Sequence, residues 1–253
     1  MISLTETDGI ALLTLRNPPA NALDPAFMEE QRGALAEVEK SGARALVVTG
    51  ENNVFSAGAD LFAVLEGTTE QIAGGIRTMS ALFSELFTFP KPTVAAVNGH
   101  AIAGGSVITC ACDYRVAAAG EYRFGFSELA VGVPFPRWAL EILRFGSGWK
   151  HARDLALMAR TFPPDDALKF GIVDEIVPPE QLMDTATRAA QRLARVPAET
   201  YAVTKRALIA PALANVEALG QAHDDEVMRL WASEEVRASI RAFLERTIGK
   251  SRR

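Results

Sequence analysis

Most of what usually announces a function is missing from these 253 residues. There are only two cysteines, Cys110 and Cys112. They sit two apart rather than in a Cys-x-x-Cys pair, and on a helix they point to different faces. That spacing argues against a redox pair and predicts two reduced, buried thiols. The histidines, His100, His151 and His223, are scattered and not at metal-ligand spacing. Excess positive charge is absent too. The formal net charge is -5, which argues against a nucleic-acid partner, because binding a phosphate backbone needs a basic surface. The short basic tail, residues 250–253, reads as a solvated end. No apolar run reaches the ~20 residues of a membrane span. Ile2 to Asp8 alternates polar and apolar like an edge strand rather than a signal peptide. The expectation is a cytoplasmic protein with no membrane partner. There is no G-x-x-x-x-G-K-S/T run and no G-x-G-x-x-G after a strand, so nucleotide triphosphate chemistry is disfavoured. No G-x-S-x-G elbow exists, and Ser56 and Ser106 have no histidine in register to act as base.

What is present has ordinary globular composition, 49% hydrophobic and 23% charged. Asp8-Gly9 between two apolar-alternating runs predicts a hairpin. Two prolines make Asn17 to Leu23 a loop. Asp24 with Pro25 behind it predicts a capped helix running to about Lys40. Ala45–Thr49 and Val94–Val97 are apolar runs long enough for buried parallel strands. Shorter strands are expected at 113–117, 122–125 and 172–177, with helices at 71–86, 137–145, 149–159 and 165–170. From Pro179 onward the pattern is helical, with separate helices expected at 182–196, 198–208, 216–231 and 234–248. The fold class is therefore α/β with a helical C-terminal extension. The division expected is a core over residues 1–195 carrying the site, and a helical region over 196–253.

Two loops share one form. Phe55 to Leu61 leaves a strand and enters a helix through Ala57-Gly58. Ala103 to Ser106 does the same through Gly104-Gly105. The first amides of a helix have no internal partner and carry partial positive charge. Glycines let a ligand approach that backbone. Taken singly, either loop could be no more than a tight turn. As a pair they predict two amides converging on one oxygen, an oxyanion hole. Glu128 stands among Phe124, Phe126, Leu129, Val131, Val133 and Phe135. A carboxylate in apolar surroundings has a raised pKa and can shuttle protons. A surface glutamate capping a turn would give the same spacing.

FSAGADL, VNGHAIAGG, CDYRVA, FSELAVGVPF and GIVDEIV, in this order, resemble the crotonase superfamily of enoyl-CoA hydratases and isomerases. NPPANAL, VFSAGADL, HAIAGGSVITCACDYR and FPPDDALKFGIVDEIVPPEQL are similar to its Δ3,Δ2-enoyl-CoA isomerase branch. The resemblance implies a crotonase-like spiral of ββα turns with two sheets. It implies a C-terminal helical region that drives assembly into a homotrimer or dimer of trimers. An acyl-CoA thioester is the implied substrate, with no cofactor beyond the coenzyme A it carries. By motif, Ala57 and Gly104 would supply the oxyanion amides and Glu128 the acid/base. Ala20, Ala22, Ser56, Gly58, Ala59, Asp60, Leu61 and Gly105 would line the CoA site. Hydratases of the family generally carry a second glutamate three residues beyond Gly104, where this chain has Val107. Val107 and Phe135 would keep water from a reactive enolate. The stretch VPFPRWA stands where many hydratases are glycine-rich. The implied activity is an enoyl-CoA isomerase. The alternatives are an enoyl-CoA hydratase or related lyase and, outside enzymes, a silent acyl-CoA-binding or scaffold protein.

Overall fold

The architecture starts at Asp8-Gly9, where both residues take positive φ (54° and 74°). That backbone twist matches the twist of the strands it joins. β1 (Ile2–Thr7) and β2 (Ile10–Leu15) pair antiparallel from Ile2 opposite Leu15 to Thr7 opposite Ile10. The computed structural model describes residues 1–251, with side chains to Thr247. The last two residues of the basic tail therefore lie outside the described residues.

The elements follow in chain order. After the hairpin come α1 (Pro25–Lys40), β3 (Ala45–Gly50), β4 (Val54–Ser56), α2 (Leu61–Glu66) and α3 (Thr69–Phe87). Next are β5 (Thr93–Val97), β6 (His100–Ile102), α4 (Gly104–Ala111), β7 (Tyr114–Ala118), β8 (Phe124–Gly125) and α5 (Glu128–Val131). They continue as α6 (Arg137–Met158), β9 (Thr161–Phe162), α7 (Pro164–Lys169) and β10 (Glu175–Val177). The last are α8 (Leu182–Leu193), α9 (Ala198–Trp231) and α10 (Glu234–Ser251). α1 starts where Asp24 accepts the Phe27 amide and Pro25 pre-sets the first turn.

One strand goes to a large sheet, the next to a small one, and a helix returns the chain. β3-β4, β5-β6 and β7-β8 repeat this three times. The large sheet has the order β1-β2-β3-β5-β7-β10 and the small one β4-β6-β8-β9. Successive turns therefore stack into a ββα spiral with two sheets, the arrangement that the sequence resemblance implies. β4, β6 and β9 are two or three residues long, too short to show a periodicity. They read as loops in the sequence. Consequently the two glycine loops follow strands of the small sheet, not of the large one. Gly148 (φ 73°) breaks α6 where the sequence placed two helices.

The expected break between residues 208 and 216 does not occur. α9 is one helix of 34 residues that carries Pro211 inside it. An interior proline costs roughly 3 kcal/mol. The buried face of α9, with Lys205, Ile209, Ala212, Gly220, Val227 and Trp231, supplies the packing that offsets it. Asp113 ties this helix to the large sheet. It accepts from the Thr93 amide and hydroxyl and pairs with the Lys205 ammonium at 2.8 Å. Lys205 is only 7% exposed. Asp113→Ala leaves that charge buried and unpaired, so it is expected to lower stability by about 3–5 kcal/mol in urea denaturation. Cys110 and Cys112 are free and buried, and burial pushes their thiols up to about 11 and about 12.

Besides the main core there is a smaller apolar cluster. Ile72 and Ile76 of α3, Val131 and Val133, Val227 and Trp231 of α9, and Val236 and Ile240 of α10 form it. It places the C-terminal helices on the spiral itself. Among the described residues no helix is long and apolar enough to cross a membrane.

Candidate active site

The loop after β4 is built from the inside by hydroxyls and amides. The Ser56 hydroxyl donates to the Asn21 carbonyl at 2.8 Å and accepts the Gly58 amide at 3.2 Å. The Asn21 side chain donates to the carbonyls of Val54 and Phe55. The Asp60 carboxylate then accepts the Phe62 and Ala63 amides and starts α2.

The loop after β6 is built the same way. The Ala103 amide donates to Gly125, and Ala103 itself takes a positive φ of 50°. The Ser106 hydroxyl donates to the Ala101 carbonyl at 2.6 Å. α4 begins at Gly104 with no side-chain cap, so its first amides are left for another acceptor.

Glycine is required where the two loops touch. Gly58 has φ +81°, and a Cβ there would lie 2.8 Å from the Gly104 nitrogen. A Cβ on Gly105 would lie 2.2 Å from the Ser56 carbonyl oxygen. The two loops are in backbone contact at these glycines.

The Ala57 amide, expected to be free beside that of Gly104, is engaged. Ala57 donates its N–H to the Ala20 carbonyl at 3.0 Å and has none to spare. Ala59 pairs with Leu23 only through its neighbours: Leu23 donates to Gly58, and Asp60 donates to Leu23. The Ala59 N–H thus has no partner among the described residues, and neither does that of Gly104. Of the two alanines, then, it is Ala59 and not Ala57 whose N–H is free.

A cavity of about 470 Å³ opens on these amides. Of the expected residues, Ala20, Ala22, Ala57, Ala59, Asp60, Leu61, Gly104 and Glu128 line it. Ser56, Gly58 and Gly105 do not; they shape the loops from behind. Val107 and Phe135 do not line it either. Val107 is wholly buried one turn into α4, and the Phe135 carbonyl faces His223. The apolar wall comes instead from Ile102, Val131, Val133, Phe83 and Trp231. Trp231, Phe243 and Leu244 carry no local sequence signal for a site. They reach it on α9 and α10, so the cavity draws on both sides of residue 195.

Three carboxylates line this cavity, those of Asp24, Asp60 and Glu128. Asp24 accepts the Phe27 amide and the Asn17 side chain. Asp60 is engaged by α2. Glu128 is 7% exposed, and its Oε2 is buried without a partner. Burial pushes its carboxyl up to about 8, against a smaller opposing effect of a backbone hydrogen bond. A carboxyl in that range takes and returns a proton near neutral pH.

A family model described as Enoyl-CoA hydratase/isomerase matches residues 5–250. Over 241 residues the chain is 29% identical to human mitochondrial enoyl-CoA delta isomerase 1, covering 94% of this chain and 80% of that protein. It is 34% identical over 250 residues to a putative enoyl-CoA hydratase of Thermus thermophilus, covering 95% and 96%. The crystal structure of human mitochondrial Δ3-Δ2-enoyl-CoA isomerase superposes with a TM-score of 0.93 at 28% identity, over 98% of each chain.

Proposed function

Within the enoyl-CoA hydratase/isomerase family, to which this chain belongs, we propose that it is a Δ3,Δ2-enoyl-CoA isomerase. The family acts on acyl-CoA thioesters. One observation carries the narrower reading: of the carboxylates lining the cavity, only Glu128 has a buried oxygen without a partner.

A single carboxylate suits a 1,3-proton shift. Ionised Glu128 takes a proton from C2 of a 3-enoyl-CoA. The electron pair moves onto the thioester oxygen, giving an enolate that faces the Ala59 and Gly104 amides. The positive end of α4 favours that charge. Protonated Glu128 then returns the proton at C4 as the double bond settles between C2 and C3. Adding water asks for water activation as well as proton delivery, and Val107 provides neither.

The experiment is to follow conjugated-thioester absorbance. It is expected to rise with a 3-enoyl-CoA. Loss of absorbance with a 2-enoyl-CoA, abolished by Glu128→Gln, would replace isomerase by hydratase, the reading that the name of the Thermus relative favours. Binding of both without turnover would leave a non-catalytic acyl-CoA-binding protein.

Assembly into trimers is part of the proposal. α6 leaves Phe145, Trp149, Leu157 and Met158 exposed, at 49%, 67%, 65% and 65%. Further copies of the chain would cover such a surface, which sedimentation tests directly.

A further inference from the structure

Glu128 rides on an element that cannot hold it. α5 is four residues long, and Ser127 makes no side-chain cap. A helix of one turn has almost no stability of its own. The support comes from the C-terminal helices. At Gly132, directly after α5, a Cβ would lie 2.7 Å from Ser239 Cβ of α10. The next residues are gripped by α9. The Trp231 indole N–H donates to the Pro134 carbonyl at 2.9 Å. His223 Nε2 meets the Phe135 carbonyl at 2.9 Å, so that nitrogen must carry the proton. Asp224 accepts the Arg137 amide at 2.7 Å. It thereby caps α6 from another helix, because Pro136 makes no side-chain cap.

We infer that His223, Asp224 and Trp231 are positioning residues that keep Glu128 dry and directed at the two free amides. The inference rests on Glu128 being the acid/base of the proposed isomerase. Its physical basis is accounting for the loop. Pro134 and Phe135 present carbonyls that need donors. If α9 does not supply them, water must. Val133 and Pro136 of the same loop are cavity wall, so water there also reaches Glu128. The other ionisable groups around Glu128 are already committed. Asp24 and Asp60 hold helix starts. Arg137 pairs with Glu141 at 2.9 Å, and Arg237 of α10 donates to the Leu65 and Gly67 carbonyls.

The test reads Glu128 itself. Carboxyl carbon NMR is recorded across pH, with the Glu128 signal assigned by its loss in Glu128→Gln. Trp231→Phe keeps a ring and removes the N–H. His223→Leu removes a donor, and His223→Gln restores one. Trp231→Phe and His223→Leu are expected to lower the Glu128 midpoint by at least about one pH unit, as hydration favours the ionised form. His223→Gln should keep the wild-type midpoint. The rising limb of the rate–pH profile should move with the midpoint, and in His223→Leu, which lies outside the cavity wall, KM should change little. An unmoved midpoint in folded Trp231→Phe overturns the inference, whether or not His223→Leu folds. So does a midpoint in His223→Gln that falls as far as in His223→Leu. If the wild type does not isomerise but the midpoints move as stated, the isomerase reading fails and the positioning role stands.

Discussion

Glutamine at position 128 is expected to lower turnover of a 3-enoyl-CoA by about 10²–10⁴-fold and, at the same time, to make the protein more stable in alkaline solution. Both effects come from one cause. Burial lifts the folded-state carboxyl from 4.5 to about 8. An unfolded chain gives up that proton near pH ~4.3. Between those values the folded protein keeps a proton that the unfolded chain has lost. Stability therefore falls as pH rises across that window and levels off above about 8. At roughly 1.4 kcal/mol per pH unit the full loss is on the order of 5 kcal/mol. Glutamine does not ionise and escapes it. Urea denaturation should give nearly equal stability for variant and wild type at about pH 4, and an advantage of several kcal/mol for the variant at about pH 9. An advantage that does not change with pH would mean that Glu128 is not buried neutral. In the wild type, kcat/KM should rise about tenfold per pH unit below about 8 and reach a plateau above it, since the ionised form is the base.

Gly58→Ala is expected to cost about 10²–10³-fold in kcat, equivalent to one lost oxyanion donor at ~2.7–4 kcal/mol. The added methyl would stand 2.8 Å from the Gly104 nitrogen and 2.9 Å from both Ala103 Cβ and the Ile102 carbonyl oxygen. Its neighbours are backbone and a short side chain, which have no room to yield. The wedge separates the Ala59 and Gly104 amides, so the enolate loses more than the bound thioester. kcat should fall further than KM rises. Gly33, in the middle of α1, is the control. A Cβ there meets nothing within 4 Å. Gly33→Ala should keep the full rate and add about 0.5–1 kcal/mol of stability. A folded Gly58→Ala enzyme that retains kcat within about tenfold would mean that the two amides do not act together.

Long, strongly patterned elements were legible in the amino-acid sequence. The turn at Asp8-Gly9, the start of α1 at Asp24-Pro25 and the strand at Thr93–Val97 are local decisions, made by residues within a few positions of one another. The break at Gly148 belongs with them. β4, β6 and β9 are different. Each exists only because a partner strand lies beside it, and nothing in two or three residues announces that partner. α9 also escaped local reading, because Pro211 opposes the helix and only tertiary packing overrules it.

The site divides along the same line. Glu128 and the two glycine loops were visible in the residues alone. Which alanine offers its amide was not. Ala57 and Ala59 look alike in sequence. The choice is made by the Ala20 carbonyl, which engages one of them. Trp231 was invisible as a site residue for a similar reason: its contact with the loop after Glu128 spans roughly a hundred positions.

That separation also sets a clock. Chains emerge from synthesis N-terminus first, at about 5–20 residues per second. Glu128, both glycine loops and the three spiral turns are all complete before Trp231 and Ser239 exist. For roughly 5–20 s the nascent chain carries Glu128 on a one-turn helix without the two helices that bury it in the folded protein. The walls of the cavity that Trp231, Phe243 and Leu244 supply are thus the last to be made. They arrive when α9 and α10 close over a spiral that is already built.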